Sequence, residues 1–204
     1  MSSVVVVEKQ SSQIDSFVCE QVDRSITAVA ELKSEKNLSF IREVAESLCS
    51  TFQQGHKVII AGNGGSLCDA THFAEEFTGF FSKKRRKALP VIVLSDPGYL
   101  TCTANDIGYD WVFARGIEAF GKPGDLFIGL TTSGNSKNLI LAFEAARALK
   151  LTTVALLGKG GGALRGVADL ELIIESAQTS DRIQEAHMTA MHIMIDIVER
   201  KLFP

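Results

Sequence analysis

The sequence predicts an α/β protein: a doubly wound five-stranded parallel sheet with an N-terminal helical arm and a long C-terminal helix. Three observations predict it. Five short apolar runs (58–61, 91–94, 126–130, 153–157 and 170–174) lack the polar alternation of a half-exposed strand, as expected where both faces are covered. The segments between them run to roughly 12 to 31 residues, long enough for crossover helices. Helical patterns precede the first run and follow the last.

Taken in order, residues 1–10 are apolar and then polar, a segment expected to order only where something docks on it. Over 13–34, Ile14, Phe17, Val18, Val22, Ile26, Val29 and Leu32 recur in steps of three and four, the period of an amphipathic helix. A second helix is expected over 38–52, carried by Phe40, Ile41, Val44, Ala45, Leu48 and Cys49 and stopping at Gly55. This arm, residues 1–36, needs an apolar partner on the main body or on another subunit. Residues 37–204 then form the sheet domain, which closes on a helix over 180–201 striped by Ile183, Met191, Ile195 and Val198.

Composition narrows the function. A chain of 204 residues with 46% hydrophobic content and a net charge of −3 buries enough surface to fold without disulfides or a structural metal. Intrinsic disorder is excluded, and so is nucleic-acid binding driven by overall charge. No apolar run approaches the roughly 18 residues of a membrane span, and no basic residue precedes the short run at 4–7, so neither membrane partner nor export signal is expected. Cys19, Cys49, Cys68 and Cys102 form no CxxC pair and read as reduced thiols of a cytoplasmic protein.

Ligands of such sheets sit at the carboxyl ends of the strands. After the first strand comes Gly62-Asn63-Gly64-Gly65-Ser66, either an anion site at a helix N-terminus or a tight strand-to-helix turn. It is not a dinucleotide fingerprint, because Leu67 takes the place of its last small residue. After the third strand, Thr131, Thr132, Ser133 and Ser136 offer four hydroxyls ahead of a helix over 137–150, a cradle for a phosphate monoester or a helix-capping run. Residues 158–163 match G-x-G-x-x-A behind the wrong strand for nucleotide binding and read as a flexible connection. Asn105 and Asp106 are placed to reach substrate hydroxyls or to end a helix.

His72 and Glu76 lie four apart on one helix face. Gln184 and His192 lie eight apart, about 80° around the helix axis. Together these four form a candidate divalent-metal site or an acid/base pair. His56 and His187 lack such company and read as structural. The basic run 83–87 reads as a solvated loop or pocket rim.

The run Gly62 to Glu76, with Asn105-Asp106-Ile107-Gly108, Thr132-Ser133-Gly134-Asn135-Ser136 and Asp181-Arg182-Ile183-Gln184-Glu185-Ala186-His187 following in order, resembles the bacterial phosphoheptose isomerases of the sugar isomerase (SIS) superfamily. The likeness covers about 38–201. It implies an aldose–ketose isomerase that converts sedoheptulose 7-phosphate to D-glycero-D-manno-heptose 7-phosphate through an enediol, the first step toward the ADP-heptose of lipopolysaccharide. It also implies a cytoplasmic homotetramer with active sites where subunits meet, and one zinc per subunit held by His72, Glu76, Gln184 and His192. By the same likeness, Glu76 and His192 are the catalytic pair. Substrate contacts fall on Asn63, Gly64, Gly65, Ser66, Glu76, Asn105, Asp106, Thr131, Thr132, Ser133, Ser136 and Gln184. Thr131 stands where the family usually has Ser and keeps the hydroxyl. The alternative is a non-catalytic SIS relative that binds the bacterial replication initiator; the presence of Glu76 and His192 favours the enzyme.

Overall fold

The computed structural model describes residues 2–82 and 85–204, with side chains from residue 12 onward. Five parallel strands, β1 (Val58–Gly62), β2 (Val91–Val93), β3 (Leu126–Thr131), β4 (Thr152–Gly158) and β5 (Leu170–Ile174), lie in the order β2-β1-β3-β4-β5. The chain winds outward from β1 to β2 and then from β3 to β5, so the sheet reverses between β1 and β3, where a ligand crevice opens in such folds. Register brings the two central strand ends level: Gly62 pairs with Leu130, and Thr131 with Leu157.

Side chains alternate across the strands and make two cores. Val58, Ile60, Ile128, Leu130 and Leu156 point into one. That face is covered by α1 (Ser2–Ala30), α2 (Glu35–Gln53), α3 (Gly65–Thr78) and α7 (Ser180–Leu202). Ile59, Ala61, Phe127, Ala155 and Leu157 point into the other, under α4 (Pro97–Asp106), α5 (Val112–Phe120) and α6 (Lys137–Ala148).

The structure extends some expectations. The first helix runs through the 1–10 segment rather than starting near Gln13; the side chains of that segment lie outside the described residues. Its apolar stripe divides: Leu32 is buried, whereas Ile14, Phe17, Val18, Val22 and Ile26 are each more than half exposed. The stretch between β2 and β3, expected to hold a crossover helix, folds as α4, a short 3-10 turn and α5. Asp96 caps α4 by accepting from the Tyr99 N–H at 2.7 Å, with Pro97 at the first helical position.

Two histidines are structural, as expected. His56 lies 3.7 Å from Asp125, a buried carboxylate that accepts from the Lys57 and Lys122 N–H groups at 3.1 and 2.8 Å. His187 is wholly buried on α7, and its Nε2 donates to the Leu157 carbonyl at 2.9 Å. Burial pushes the His187 imidazole down to about 4, against the pull of that carbonyl. A histidine lowered in the folded state takes up its proton first in the unfolded chain, so stability falls as pH drops from 6.5 toward about 4 and levels below it. His187→Gln keeps a donor for Leu157 and should remove this dependence. Urea unfolding at pH 7 and pH 4.5 should show wild type losing more stability than the variant, by on the order of 2–3 kcal/mol.

Candidate active site

The site forms where α3 and α7 lie side by side and run the same way, so residues early in one helix face residues early in the other. At the start, the Gln184 amide donates to the Ser66 hydroxyl at 3.2 Å. It lies so close to Gly65 that a Cβ there would stand 2.7 Å from its amide atoms. Two turns on, His192 Nε2 lies 3.5 Å from His72 Nε2, with the rings edge to face at 4.9 Å. Phe81 stacks on the outer side of His192 at 5.9 Å. His72 Nε2 lies 3.3 Å from Glu76 Oε1.

These three residues each offer one donor atom, and the atoms all fall within 4.8 Å of one another. Two imidazole nitrogens 3.5 Å apart beside a carboxylate oxygen make a poor hydrogen-bond set but a good ligand set. Metal–ligand bonds of about 2.0–2.1 Å at tetrahedral angles put neighbouring donors roughly 3.3–3.4 Å apart. The donor chemistry therefore fits a divalent metal. Gln184 sits at the neighbouring rung, against Gly65 and Ser66.

Asp69, which sequence reasoning passed over, belongs to this helix face. It lies one turn before His72 on the 69, 72, 76 stripe, and that spacing was the available signal. Its carboxyl is half-buried, with Oδ2 lacking a hydrogen-bond partner among the described residues; burial raises it to about 6, against the pull of His72.

The hydroxyl loop follows β3. Thr131 Oγ1 lies 3.4 Å from Ser133 Oγ and 3.2 Å from Ser136 Oγ, while Thr132 Oγ1 lies 3.0 Å from Ser180 Oγ at the start of α7. Ser136 occupies the N-cap of α6 without making a side-chain cap bond. The capping alternative for this run is thus not what its hydroxyls do, and the first N–H groups of α6 remain available to an anion.

The glycine turn is held from outside. Asn63 Oδ1 accepts from Asn138 Nδ2 at 2.9 Å and Tyr109 Oη at 2.8 Å, and its Nδ2 donates to Asn138 Oδ1 at 3.0 Å. The Asn63 side chain thus ties β1 to α6. Gly64 precedes α3 at φ 57°, leaving the first N–H groups of α3 without a side-chain cap. Asn105 and Asp106 are exposed at the last turn of α4, bonded to each other at 2.8 Å; the helix-ending alternative describes their backbone.

One expectation needs correction. The 158–163 run is anchored rather than flexible. Ala163 N donates to Asn135 Oδ1 at 3.0 Å and Leu164 N to the Gly134 carbonyl at 3.1 Å. Of the basic run, Lys83 and Lys84 lie outside the described residues; Arg85 and Arg86 line a pocket with Glu199 and Phe203, as the pocket-rim alternative expects, and the Arg86 side chain is 2% exposed and ion-paired with Glu199.

The SIS domain family model matches residues 20–158. The chain is 54% identical over 173 residues to the phosphoheptose isomerase of Fusobacterium nucleatum, covering 85% of this chain and 88% of that protein. The chain belongs to the phosphoheptose isomerase family. Another phosphoheptose isomerase, from Edwardsiella ictaluri, is 47% identical over 84% of this chain and 88% of its own length. The solved phosphoheptose isomerase of Neisseria gonorrhoeae superposes with a TM-score of 0.83 at 33% identity, covering 91% of this chain and 99% of that one. That of Francisella tularensis superposes at 0.81 and 31% identity, covering 98% and 100%. As a phosphoheptose isomerase family member the chain is an enzyme, and the non-catalytic alternative is not favoured.

Close backbone crossing sets the hydroxyl loop. A Cβ on Gly134, at φ +67°, would stand 1.8 Å from the Gly161 carbonyl oxygen; one on Gly160, at φ +80°, would meet nothing within 4 Å. Gly160→Ala should cost about 1–2 kcal/mol for its left-handed backbone alone. Gly134→Ala should add a backbone clash and cost about 3 kcal/mol or more in total. Denaturant unfolding of the two variants checks the difference; equal losses would mean that the crossing is not tight.

Proposed function

We propose that the enzyme converts sedoheptulose 7-phosphate to D-glycero-D-manno-heptose 7-phosphate, with Glu76 and His192 moving the protons. The observation that carries this reading is the convergence of His72, Glu76 and His192 on one point between α3 and α7, beside two uncapped helix N-termini at the sheet's reversal. The phosphate is bound by the N-terminus of α6 with the hydroxyls of Thr131, Thr132, Ser133 and Ser136. Asn63, Gly64, Gly65, Ser66, Asn105, Asp106 and Gln184 orient the sugar chain. For Asn63 the backbone is the contact we assign, because its amide is engaged by Asn138 and Tyr109.

Isomerisation moves one carbon-bound proton from C1 to C2 and one oxygen-bound proton from O1 to O2. Glu76 takes the C1 proton and returns it to C2, and a single carboxylate serves both transfers when C1 and C2 present one face. His192 moves the proton between the oxygens. Zinc, one per chain, would be held by His72, Glu76, Gln184 and His192. When bound, it supplies Lewis-acid polarisation of the carbonyl and neutralises charge on the enediolate oxygens. A carboxylate has two oxygens, so Glu76 can direct one to the cluster and the other to the substrate carbon.

We assign residues 1–36 to oligomerisation and 37–204 to the catalytic domain, and place the enzyme in the cytoplasm as a homotetramer with sites completed at subunit contacts. The exposed stripe of α1, from Ile14 at 62% to Ile26 at 59%, supports the first assignment, because a monomer rarely leaves such a row uncovered. No helix among the described residues is long and apolar enough to cross a membrane.

Glu76→Gln and His192→Gln should each lower kcat by about 10²–10⁴-fold at unchanged oligomeric state, measured as aldose phosphate formed from sedoheptulose 7-phosphate. Full activity in both would reject the pair. Protein purified without chelator should carry about one zinc per chain, lost together with activity on dialysis against a chelator. Metal-free protein with full turnover would reject the metal.

A further inference from the structure

We infer that Arg86 and Glu199 form a buried clamp that positions the catalytic pair, with Arg86 fixing the end of the helix that carries Glu76 to the helix that carries His192. This rests on the reading of Glu76 and His192 given above. The pair stands at the third rung of the α3–α7 contact, beyond Ser66–Gln184 and His72–His192. Glu199 follows His192 by two helical turns and so lies on the same side of α7.

Arg86 is spent almost entirely on this junction. Its Nε pairs with Glu199 Oε1. Its Nη2 donates to the Glu76 carbonyl at 2.5 Å, and its Nη1 donates to the carbonyls of Phe77 at 2.9 Å and Lys87 at 3.2 Å. The last carbonyls of a helix have no partners within it, and here one guanidinium donates to those of Glu76 and Phe77, the latter shared with the Leu89 N–H at 3.0 Å. The cation also sits favourably at the negative end of the α3 dipole. Phe203 covers its outer side, 5.7 Å from the guanidinium carbon to the ring centre. Side-chain exposures of 2% for Arg86 and 7% for Glu199 place the pair where ions are expensive to keep. A buried ion pair is a weak source of stability compared with apolar residues of the same volume. The planar fork does what an apolar pair would not: it holds the backbone of Glu76 itself, at a fixed distance from α7.

A positioning role and a merely structural one separate on kcat. Arg86→Lys keeps the charge but lacks the fork that reaches Glu199 and two carbonyls together. It should lower kcat by about tenfold or more, with KM for sedoheptulose 7-phosphate changed by less than about twofold, because the phosphate loops stand apart from this rung. Glu199→Gln, which keeps an acceptor for Arg86 Nε, should cost no more than about threefold in kcat. The double variant Arg86→Met with Glu199→Met should restore much of the melting temperature lost in Arg86→Met alone while kcat stays low. Wild-type kcat in Arg86→Lys would overturn the clamp, as would recovery of kcat along with melting temperature in the double variant. If the double variant does not fold, Arg86→Lys against Glu199→Gln decides alone. Glu76→Gln assayed beside them keeps the two readings apart. An active Glu76→Gln rejects the role of Glu76, whereas an inactive one with normal Arg86→Lys rejects only the clamp.

Discussion

The structure depends on two helices, separated by more than a hundred residues of chain, lying parallel against each other on one face of the sheet. Each carries half of the chemistry: His72 and Glu76 on α3, Gln184 and His192 on α7. Neither half binds a metal or moves a proton between two atoms by itself. Parallel packing keeps the partners in the same order along both helices, from Ser66–Gln184 to His72–His192 to the carbonyls joined to Glu199 through Arg86. An antiparallel pair would bring at most one of these rungs together.

The sheet supplies the second half of the arrangement. Strand ends that are level in register place the glycine turn and the hydroxyl loop beside each other, and both open into helices whose first N–H groups have no side-chain cap. A chain of net charge −3 needs no basic patch to hold a phosphate under these conditions, since helix N-termini and hydroxyls act at close range. The price in conformational freedom falls on the glycines. A Cβ on Gly134 would stand 1.8 Å from the Gly161 carbonyl oxygen and one on Gly162 would stand 2.4 Å from the Ser133 carbonyl oxygen, so neither loop can carry a side chain at the contact, and Asn135 ties the crossing with bonds to both sides.

Much of this was legible in the sequence, and the parts that were not share a physical cause. The strands announced themselves because both faces are buried, and the cluster because His72 and Glu76 keep helical spacing. That His192 meets them is a long-range fact that spacing alone does not contain; the family likeness carried it. Arg86 hid inside a basic run, where composition reads as solvent exposure, because burial is decided by Glu199 far along the chain. The run at 158–163 looked flexible because glycines favour both mobility and close packing, and only a second backbone at hand distinguishes them.

The arm is coupled to the same helix pair. Glu31 accepts from the N–H groups of Glu175 and Ser176 and from the Ser176 hydroxyl at 2.6–3.2 Å, just before α7 begins. Burial works against the Glu31 carboxylate, yet the Ser176 hydroxyl and those N–H groups outweigh it and hold the group below its ordinary value. This tie is complete above the carboxyl's usual 4.5 and is lost as pH falls through the lower folded value. Arg182, on the first turn of α7, reaches back to Ser25 of the arm and forward to Glu185. The helix that carries His192 is therefore held by the arm at one end and by Arg86 at the other, with His187 bonded to the sheet between them. A helix fixed at both ends and in the middle has little freedom to slide along α3. The three donor atoms lie within 4.8 Å of one another, and a slip of one residue, about 1.5 Å along the axis, would move His192 away from the other two.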